Sequence, residues 1–166
     1  MHEGVAQVRY LDTSDVAAHL VGFVPSEDLT AGSTHKATQA IRLVKSTFRD
    51  EFKCLVKQVK SGIIIECPEA TQNSILDLCG VVEQKLERLK KEPLAAKMVE
   101  EILAVSGAEL RRWSKDGRIP TSGRAYFSQG RKQVGLFLYP PEAIRELSSR
   151  PDQIAQWRNQ DRQPQH

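Results

Sequence analysis

Residues 105–132 concentrate the side chains that could bind an anionic partner. Seven Lys and Arg residues lie in this segment against two acidic residues, Glu109 and Asp116. Such cations neutralise phosphate groups, and arginine also donates paired hydrogen bonds to guanine edges. The basic residues are Arg111, Arg112, Lys115, Arg118, Arg124, Arg131 and Lys132. Because the whole chain has a formal charge of only +3, the position of the charge, and not its amount, indicates a nucleic-acid partner.

Patterns typical of catalysis or metal binding are missing from the sequence. The three cysteines have no CxxC spacing and lie in apolar segments typical of buried thiols. The four histidines are scattered, with no HxH or HExxH pair. These residues are Cys54, Cys67, Cys79, His2, His19, His35 and His166. We find no phosphate loop, GxSxG motif or paired carboxylates, so we expect a protein that is not an enzyme and holds no cofactor or metal.

Composition and apolar runs indicate the class of protein. The 166 residues are 40% apolar and 27% charged, as in a globular protein of one medium or two small domains. The longest apolar runs, residues 63–65 and 134–139, are much shorter than the roughly 18 residues that a membrane span needs. The first ten residues lack the basic and apolar regions of a secretory signal. We therefore expect a cytoplasmic, nucleoid-associated protein with no membrane partner.

Residues 1–92 predict a small mixed α/β domain with a long amphipathic helix. A strand at 5–11 is followed by a helix from Thr13 or Ser14 to about residue 21. A second helix spans 34–52, strands follow at 52–59 and 63–67, and a third helix extends from Thr71 or Asn73 to 91. The apolar stripe of the second helix comprises Ala37, Ile41, Val44, Phe48 and Phe52. Beside it lie Arg42, Lys45, Arg49 and Lys53, which form either a solvated flank or an auxiliary phosphate-binding surface.

The third helix carries a continuous apolar seam. Its members recur every three or four residues and are Ile75, Leu78, Val82, Leu86 and Leu89. Such a seam either closes the N-terminal core or pairs with its twin in a homodimer. Glu92–Pro93 then interrupts the helical pattern and marks the domain boundary. We expect residues 1–92 to serve dimerisation or the binding of a protein partner.

Two short helices joined by a tight turn follow this boundary. The first covers residues 94–105, and Ser106 caps the second, which covers 108–115 and ends at Asp116–Gly117. At 100° per residue, Leu110 and Trp113 form the buried side of the second helix. Its opposite side carries a small residue among three cations: Ala108, Arg111, Arg112 and Lys115. A helix with this face fits a major groove about 12 Å wide.

A basic hairpin and a further helix complete the segment. Residues 124–128 and 133–139 predict two strands around a tip that contains Gly130 and Arg131. Pro141 then begins a helix over residues 142–149. The order of helix, turn, helix, hairpin and helix is that of a winged helix-turn-helix domain, here over residues 93–150. Residues 151–166 are expected to form a polar, largely disordered tail.

The residues of this segment resemble a known group. The sequence AVSGAELRRW at 104–113, followed by GRIP at 117–120, is similar to the core of MerR-like and excisionase-like winged-helix domains, and the resemblance covers residues 94–147. It implies that the second helix enters the major groove through Ser106, Arg111, Arg112 and Lys115. It also implies that the hairpin wing contacts the flanking DNA through Arg124, Arg131 and Lys132. The wing, at 121–133, is longer than the compact form of the family.

Together these features predict a non-catalytic, sequence-specific protein that binds double-stranded DNA. The overall class is α+β, and the expected role is that of a bacterial or phage transcriptional regulator, or of a recombination or plasmid-maintenance factor. A homodimer is expected. The alternative is a non-catalytic adaptor in which the winged domain docks a protein partner.

Overall fold

The computed structural model of the chain describes residues 7–11 and 19–164. Helices and two antiparallel sheets make up these residues, so the predicted α+β class is confirmed. They form two compact units. One contains residues up to Thr30 together with Thr34–Lys90, and the other contains Ala31–Ser33 and the residues from Lys91 onward. Among the described helices, none combines the length and the hydropathy that a membrane span requires.

The first unit contains a four-stranded antiparallel sheet and three helices. Its elements are β1 (Val8–Leu11), β2 (His19–Phe23), α1 (Glu27–Thr30), α2 (Thr34–Glu51), β3 (Leu55–Val59), β4 (Gly62–Cys67) and α3 (Gln72–Lys91). The strand order is β1-β2-β4-β3, and Val21 pairs with Ile65 at the centre of the sheet. Alternate strand residues point to one face, where they form a core with the apolar sides of α2 and α3.

The prediction of a helix from Thr13 or Ser14 to about residue 21 is wrong at its end. Residues 19–23 are strand β2, and residues 12–18 lie outside the described part of the chain. β2 pairs with β1 on one side and with β4 on the other, and its Val21 and Phe23 are buried. These two ladders and the alternating burial favour the strand over the local helical pattern.

The two long helices close the core of the first unit. In α2, Val44 and Phe48 are buried as predicted, whereas Ala37 and Ile41 are half-buried. In α3, all five residues of the apolar seam are buried in the core. Core closure is therefore the correct interpretation of the seam, and a dimer through that seam is excluded because its side chains are already covered.

The second unit contains four helices and a hairpin between residues 94 and 164. Its elements are α4 (Ala96–Leu103), α5 (Gly107–Lys115), β5 (Gly123–Gln129), β6 (Lys132–Leu138), α6 (Pro141–Ser148) and α7 (Pro151–Arg162), with an isolated bridge between Leu94 and Tyr139. All four helices contribute to one buried cluster. The bridge between Leu94 and Tyr139 fastens the start of this unit to the end of the hairpin.

The prediction of a largely disordered tail over residues 151–166 is wrong for most of its length. Residues 151–162 form helix α7, which begins with Pro151 in its first turn. Ile154 and Trp157, three residues apart, point to the same side and are buried in the core of the second unit. The second unit therefore extends well beyond the predicted limit at residue 150.

Candidate functional site

Helix α5 is fixed at both ends by local interactions. At its start, Glu109 donates a backbone hydrogen bond to Oγ of Ser106 at 3.1 Å. The backbone N–H of Ser106 in turn donates to Oε2 of Glu109 at 3.1 Å, so a complete capping box is present. At its end, Asp116 is the C-cap and Gly117 has a φ of +85°, the left-handed conformation that stops a helix. The predicted position of this helix is confirmed.

The buried side of α5 fixes its rotation about its own axis. Leu110 and Trp113 are 1% and 0% exposed, which confirms that both point inward. Between them and the hairpin, Oγ of the buried Ser114 lies 2.8 Å from the hydroxyl of Tyr139. Burial raises the pKa of Tyr139, so this hydroxyl stays protonated at neutral pH. The opposite side of α5 is consequently held toward solvent.

Three of the predicted site residues lie on that outer side without a carboxylate partner. Ala108, Arg111 and Lys115 are exposed. The Nε of Arg111 donates a long hydrogen bond of 3.3 Å to the carbonyl of Gly107, one turn earlier. Within residues 7–11 and 19–164, no carboxylate lies within salt-bridge distance of Arg111 or Lys115. These two cations and Ala108, on the same side of the helix, form what we call the open face of α5.

Arg112 and Arg118, by contrast, are joined to an acidic residue of α7. Nη1 of Arg112 donates to Oδ2 of Asp161 at 2.8 Å, and Nη2 of Arg118 donates to Oδ1 of the same carboxylate at 2.9 Å. Arg118 also binds Asp116, and its guanidinium lies 5.6 Å from the ring centre of Trp113. The pKa of Asp161 falls to about 2, chiefly because the indole of Trp113 and then Arg112 donate hydrogen bonds to it. Part of the predicted cationic face is therefore neutralised within the chain.

A second ion pair joins α7 to the start of α5. Arg158 donates from Nε and Nη2 to the two carboxylate oxygens of Glu109, each at 3.0 Å. Its Nη2 also donates to the carbonyl of Ala104 at 3.0 Å. The hydrogen bond from Arg158 is the main reason that the pKa of Glu109 is lowered. α7 thus covers one flank of α5 and leaves the open face uncovered.

The predicted wing residues lie on a two-stranded ribbon, but on different sides of it. β5 and β6 pair from Gly123 with Leu138 to Gln129 with Lys132, and Gly130 takes a positive φ in the two-residue turn. Because side chains alternate along a strand, Arg124 and Lys132 point to opposite faces, while Arg131 is in the turn. All three are exposed. The guanidinium of Arg124 lies 4.6 Å from the ring centre of Phe137.

The ribbon also exposes large apolar side chains. Tyr126 is 62% exposed, Phe127 46% and Leu136 48%. Leu136 pairs with Ala125, next to the pair of Phe127 and Val134, so these four residues share one face. Exposed aromatic and apolar groups next to cations are found at surfaces that bind other molecules.

The comparisons with known proteins gave no match for this chain. The chain matches no protein-family model, no curated protein and no solved structure. The resemblance to MerR-like and excisionase-like domains therefore rests on the quoted residues alone. Across the described part of the chain, no group of three His, Cys, Asp or Glu side chains is placed to hold a metal ion.

The residues of α7 that shape the site were not predicted from the sequence. Asp161 lies 49 residues after Arg112, and Arg158 lies 49 residues after Glu109, so no local pattern links either pair. A signal for the helix itself was present: Pro151 followed by Ile154 and Trp157 at helical spacing. That signal would have predicted α7, although not which charges it contacts.

Proposed function

We propose that the second unit is a winged helix-turn-helix domain that binds double-stranded DNA without chemistry. In this proposal α5 enters the major groove and the β5–β6 ribbon contacts the flanking backbone. The observation that carries the proposal is the open face of α5: Ala108 on the same side as the exposed Arg111 and Lys115, on a helix whose other side is buried. Small residues allow close approach to base edges, and the cations reach phosphates or guanines.

The ion pairs with α7 reduce the number of free cations around α5, but they leave its open face uncovered. The side chain of Arg112 remains 55% exposed although it binds Asp161. A guanidinium has five N–H donors, and Asp161 uses one of those of Arg112. Arg112 is therefore held in one orientation with donors still free for a phosphate. Arg118 is 22% exposed and donates to two carboxylates, so we assign it a supporting role beside Trp113.

The biological role that fits such a domain is a sequence-specific regulator of bacterial or phage origin, or a recombination or plasmid-maintenance factor, acting in the cytoplasm at the nucleoid. A homodimer would contact two half-sites about one helical turn of DNA apart. Because the seam of α3 is buried, such a dimer would use another surface.

Binding of a labelled, random-sequence duplex, measured by fluorescence anisotropy, tests the proposal. The variant Arg111→Ala/Lys115→Ala removes both cations of the open face without disturbing an ion pair. We expect a loss of affinity on the order of 100-fold, since two base or phosphate contacts are removed. The control is Lys97→Ala/Arg150→Ala, which removes two cations from exposed positions of the same unit, each in a local ion pair on its own surface, and should bind nearly as well as the wild type.

Two results would reject the proposal. One is wild-type protein that binds no duplex at about 50 mM salt, where non-specific binding to phosphates is strong. The other is a folded open-face variant with the affinity of the control. Selection of duplexes from a random pool at two salt concentrations would then define the preferred sequence and separate specific from non-specific binding.

The adaptor function remains the second candidate because of the exposed apolar face of the ribbon. Phe127 and Leu136 are each almost half exposed, and contiguous exposed apolar side chains are typical of surfaces that bind proteins. An adaptor would bind no duplex. The Phe127→Ser/Leu136→Ser variant would lose binding to the partner protein, whereas the Arg111→Ala/Lys115→Ala variant would keep it. The two candidates thus predict opposite outcomes for the same pair of variants.

A further inference from the structure

Two cysteines of the first unit lie side by side at the open end of the β3–β4 hairpin, away from its turn. Cys54 immediately precedes β3, and Cys67 is the last residue of β4. Leu55 pairs with Glu66, so the next position of the register places Cys54 opposite Cys67. The two Sγ atoms are 3.3 Å apart. The sequence pattern indicates two buried thiols but not their contact, because the register of the hairpin is needed to bring them together.

The geometry of this pair is close to that of a disulfide. Directly opposite residues of an antiparallel pair have Cα atoms about 4.5–5.5 Å apart, and disulfides join Cα atoms about 4.4–6.8 Å apart. An S–S bond of about 2.05 Å requires the sulfurs to approach by about 1.3 Å, shared between two side chains. Rotation of the side chains can supply such a shift without moving the strands.

The two thiols differ in their access to solvent. Cys54 is half-buried, whereas Cys67 is fully buried. Burial, followed by the hydrogen bond with Cys54, raises the pKa of Cys67 to about 12. The thiol of Cys54 lies 3.5 Å from the carbonyl of Phe48, to which it donates. A small oxidant therefore meets Cys54 first, and Cys67 remains a protonated thiol in contact with it.

We propose that Cys54 and Cys67 form an intramolecular disulfide when the protein meets a peroxide. The Cys54 thiolate attacks one oxygen of hydrogen peroxide, the O–O bond breaks, and hydroxide leaves, so that Cys54 becomes a sulfenic acid. The sulfur of Cys67 then attacks the sulfur of Cys54, the S–O bond breaks, and water leaves with the Cys67 proton. Two thiols are oxidised by two electrons, and one peroxide molecule is reduced to two waters.

Such a bond would join an edge strand to a central strand of the sheet. Among the described strands, β3 pairs only with β4 and is an edge of the sheet, whereas β4 pairs on both sides. A cross-link between residues 54 and 67 ties this edge to the centre and restricts the unfolded chain. Oxidation should therefore make the first unit more resistant to denaturant, and a dithiol should reverse the effect.

The experiment uses the full chain treated with hydrogen peroxide under native conditions. We expect intact mass to fall by two hydrogen atoms, the count of free thiols to fall from three to one, and peptide mapping to give a Cys54–Cys67 cross-link. The matched control, Cys79→Ser, removes the third cysteine, which lies on α3, and should still form the bond. In Cys67→Ser, dimedone should trap the sulfenic acid on Cys54.

Three results would overturn the proposal, and the first two need no variant. In the first, peroxide treatment of the wild type adds oxygen to the mass and removes no hydrogen. In the second, the cross-link of the wild type maps to Cys79. In the third, the Cys54→Ser protein still loses two thiols on treatment. None of these outcomes bears on the DNA-binding proposal, because all three cysteines belong to the first unit. Far-UV circular dichroism in denaturant follows the stabilisation, since both tryptophans, Trp113 and Trp157, are in the second unit.

Discussion

Asp161 accepts a hydrogen bond from the indole Nε1 of Trp113 at 2.9 Å. This contact joins the last turn of α7 to the buried aromatic residue of α5. The same carboxylate binds Arg112 and Arg118, so three donors from around α5 converge on one acceptor. One side chain of the final helix thereby orients both the core and the charged flank of the proposed DNA-binding helix.

The stability of the second unit should depend on acid pH through this carboxylate. The pKa of Asp161 is lowered from 3.8 to about 2 by its hydrogen bonds with Trp113, Arg112 and Arg118. A folded-state pKa below the unfolded value means that the ionised group stabilises the fold above about pH 4. This contribution is lost as the pH falls toward 2. Tryptophan fluorescence in denaturant, measured between pH 5 and pH 2, follows this loss.

The variant Asp161→Asn provides the control for the pH prediction. Its amide keeps an acceptor oxygen for Trp113 but carries no charge to titrate. We expect lower stability than the wild type at pH 7 and a weaker dependence on pH between 4 and 2. Glu109 and Asp116, whose pKa values are also lowered, should give the variant a residual dependence of the same sign. Parallel curves for the two proteins over this range would show that Asp161 does not contribute.

Trp157 tests whether α7 is part of the folded unit. Its ring packs edge-on against Trp113, with ring centres 5.2 Å apart, and it is 8% exposed. Trp157→Ala should lower the free energy of unfolding by about 3 kcal/mol or more, because a large buried side chain is replaced by a cavity. Gln156→Ala, at the neighbouring exposed position, should change it by less than about 0.5 kcal/mol. Equal stabilities, measured by urea unfolding, would mean that the tail is disordered after all.

The sequence was sufficient for α5 because its determinants are local. Ser106 and Glu109 define the start within four residues, and Gly117 defines the end. Leu110 and Trp113 are three residues apart, so they define the buried side by spacing alone. The open face of the helix follows from these positions without knowledge of any distant residue.

The sequence was insufficient where the determinants are distant. β2 is a strand because β1 and β4 pair with it on both sides, although a helical pattern crosses its start. The charges on the flank of α5 are paired by residues 49 positions away, which no periodicity can reveal. The predicted site therefore included Arg112 and Arg118 as free cations, whereas both bind Asp161 in the folded chain.

The salt dependence of duplex binding should report how many cations neutralise phosphates. Five of the predicted site residues are exposed cations outside ion pairs: Arg111, Lys115, Arg124, Arg131 and Lys132. The logarithm of the binding constant should therefore fall against the logarithm of the salt concentration with a slope of about −4.5 per subunit. A slope nearer to −6 would indicate that Arg112 and Arg118 also neutralise phosphates. A slope near zero would contradict phosphate binding, and titrations at three or more salt concentrations distinguish these cases.

Ser106 has two roles that substitutions can separate. As the N-cap of α5 it accepts a hydrogen bond from Glu109, so Ser106→Ala should lower the free energy of unfolding by about 1 kcal/mol. Ser106→Asp keeps a side-chain acceptor for that bond and should retain most of the stability. Its negative charge, however, would lie at the end of the helix that approaches the phosphates, so duplex affinity should fall by about tenfold or more. An aspartate variant with the stability and the duplex affinity of the wild type would place Ser106 outside the DNA interface.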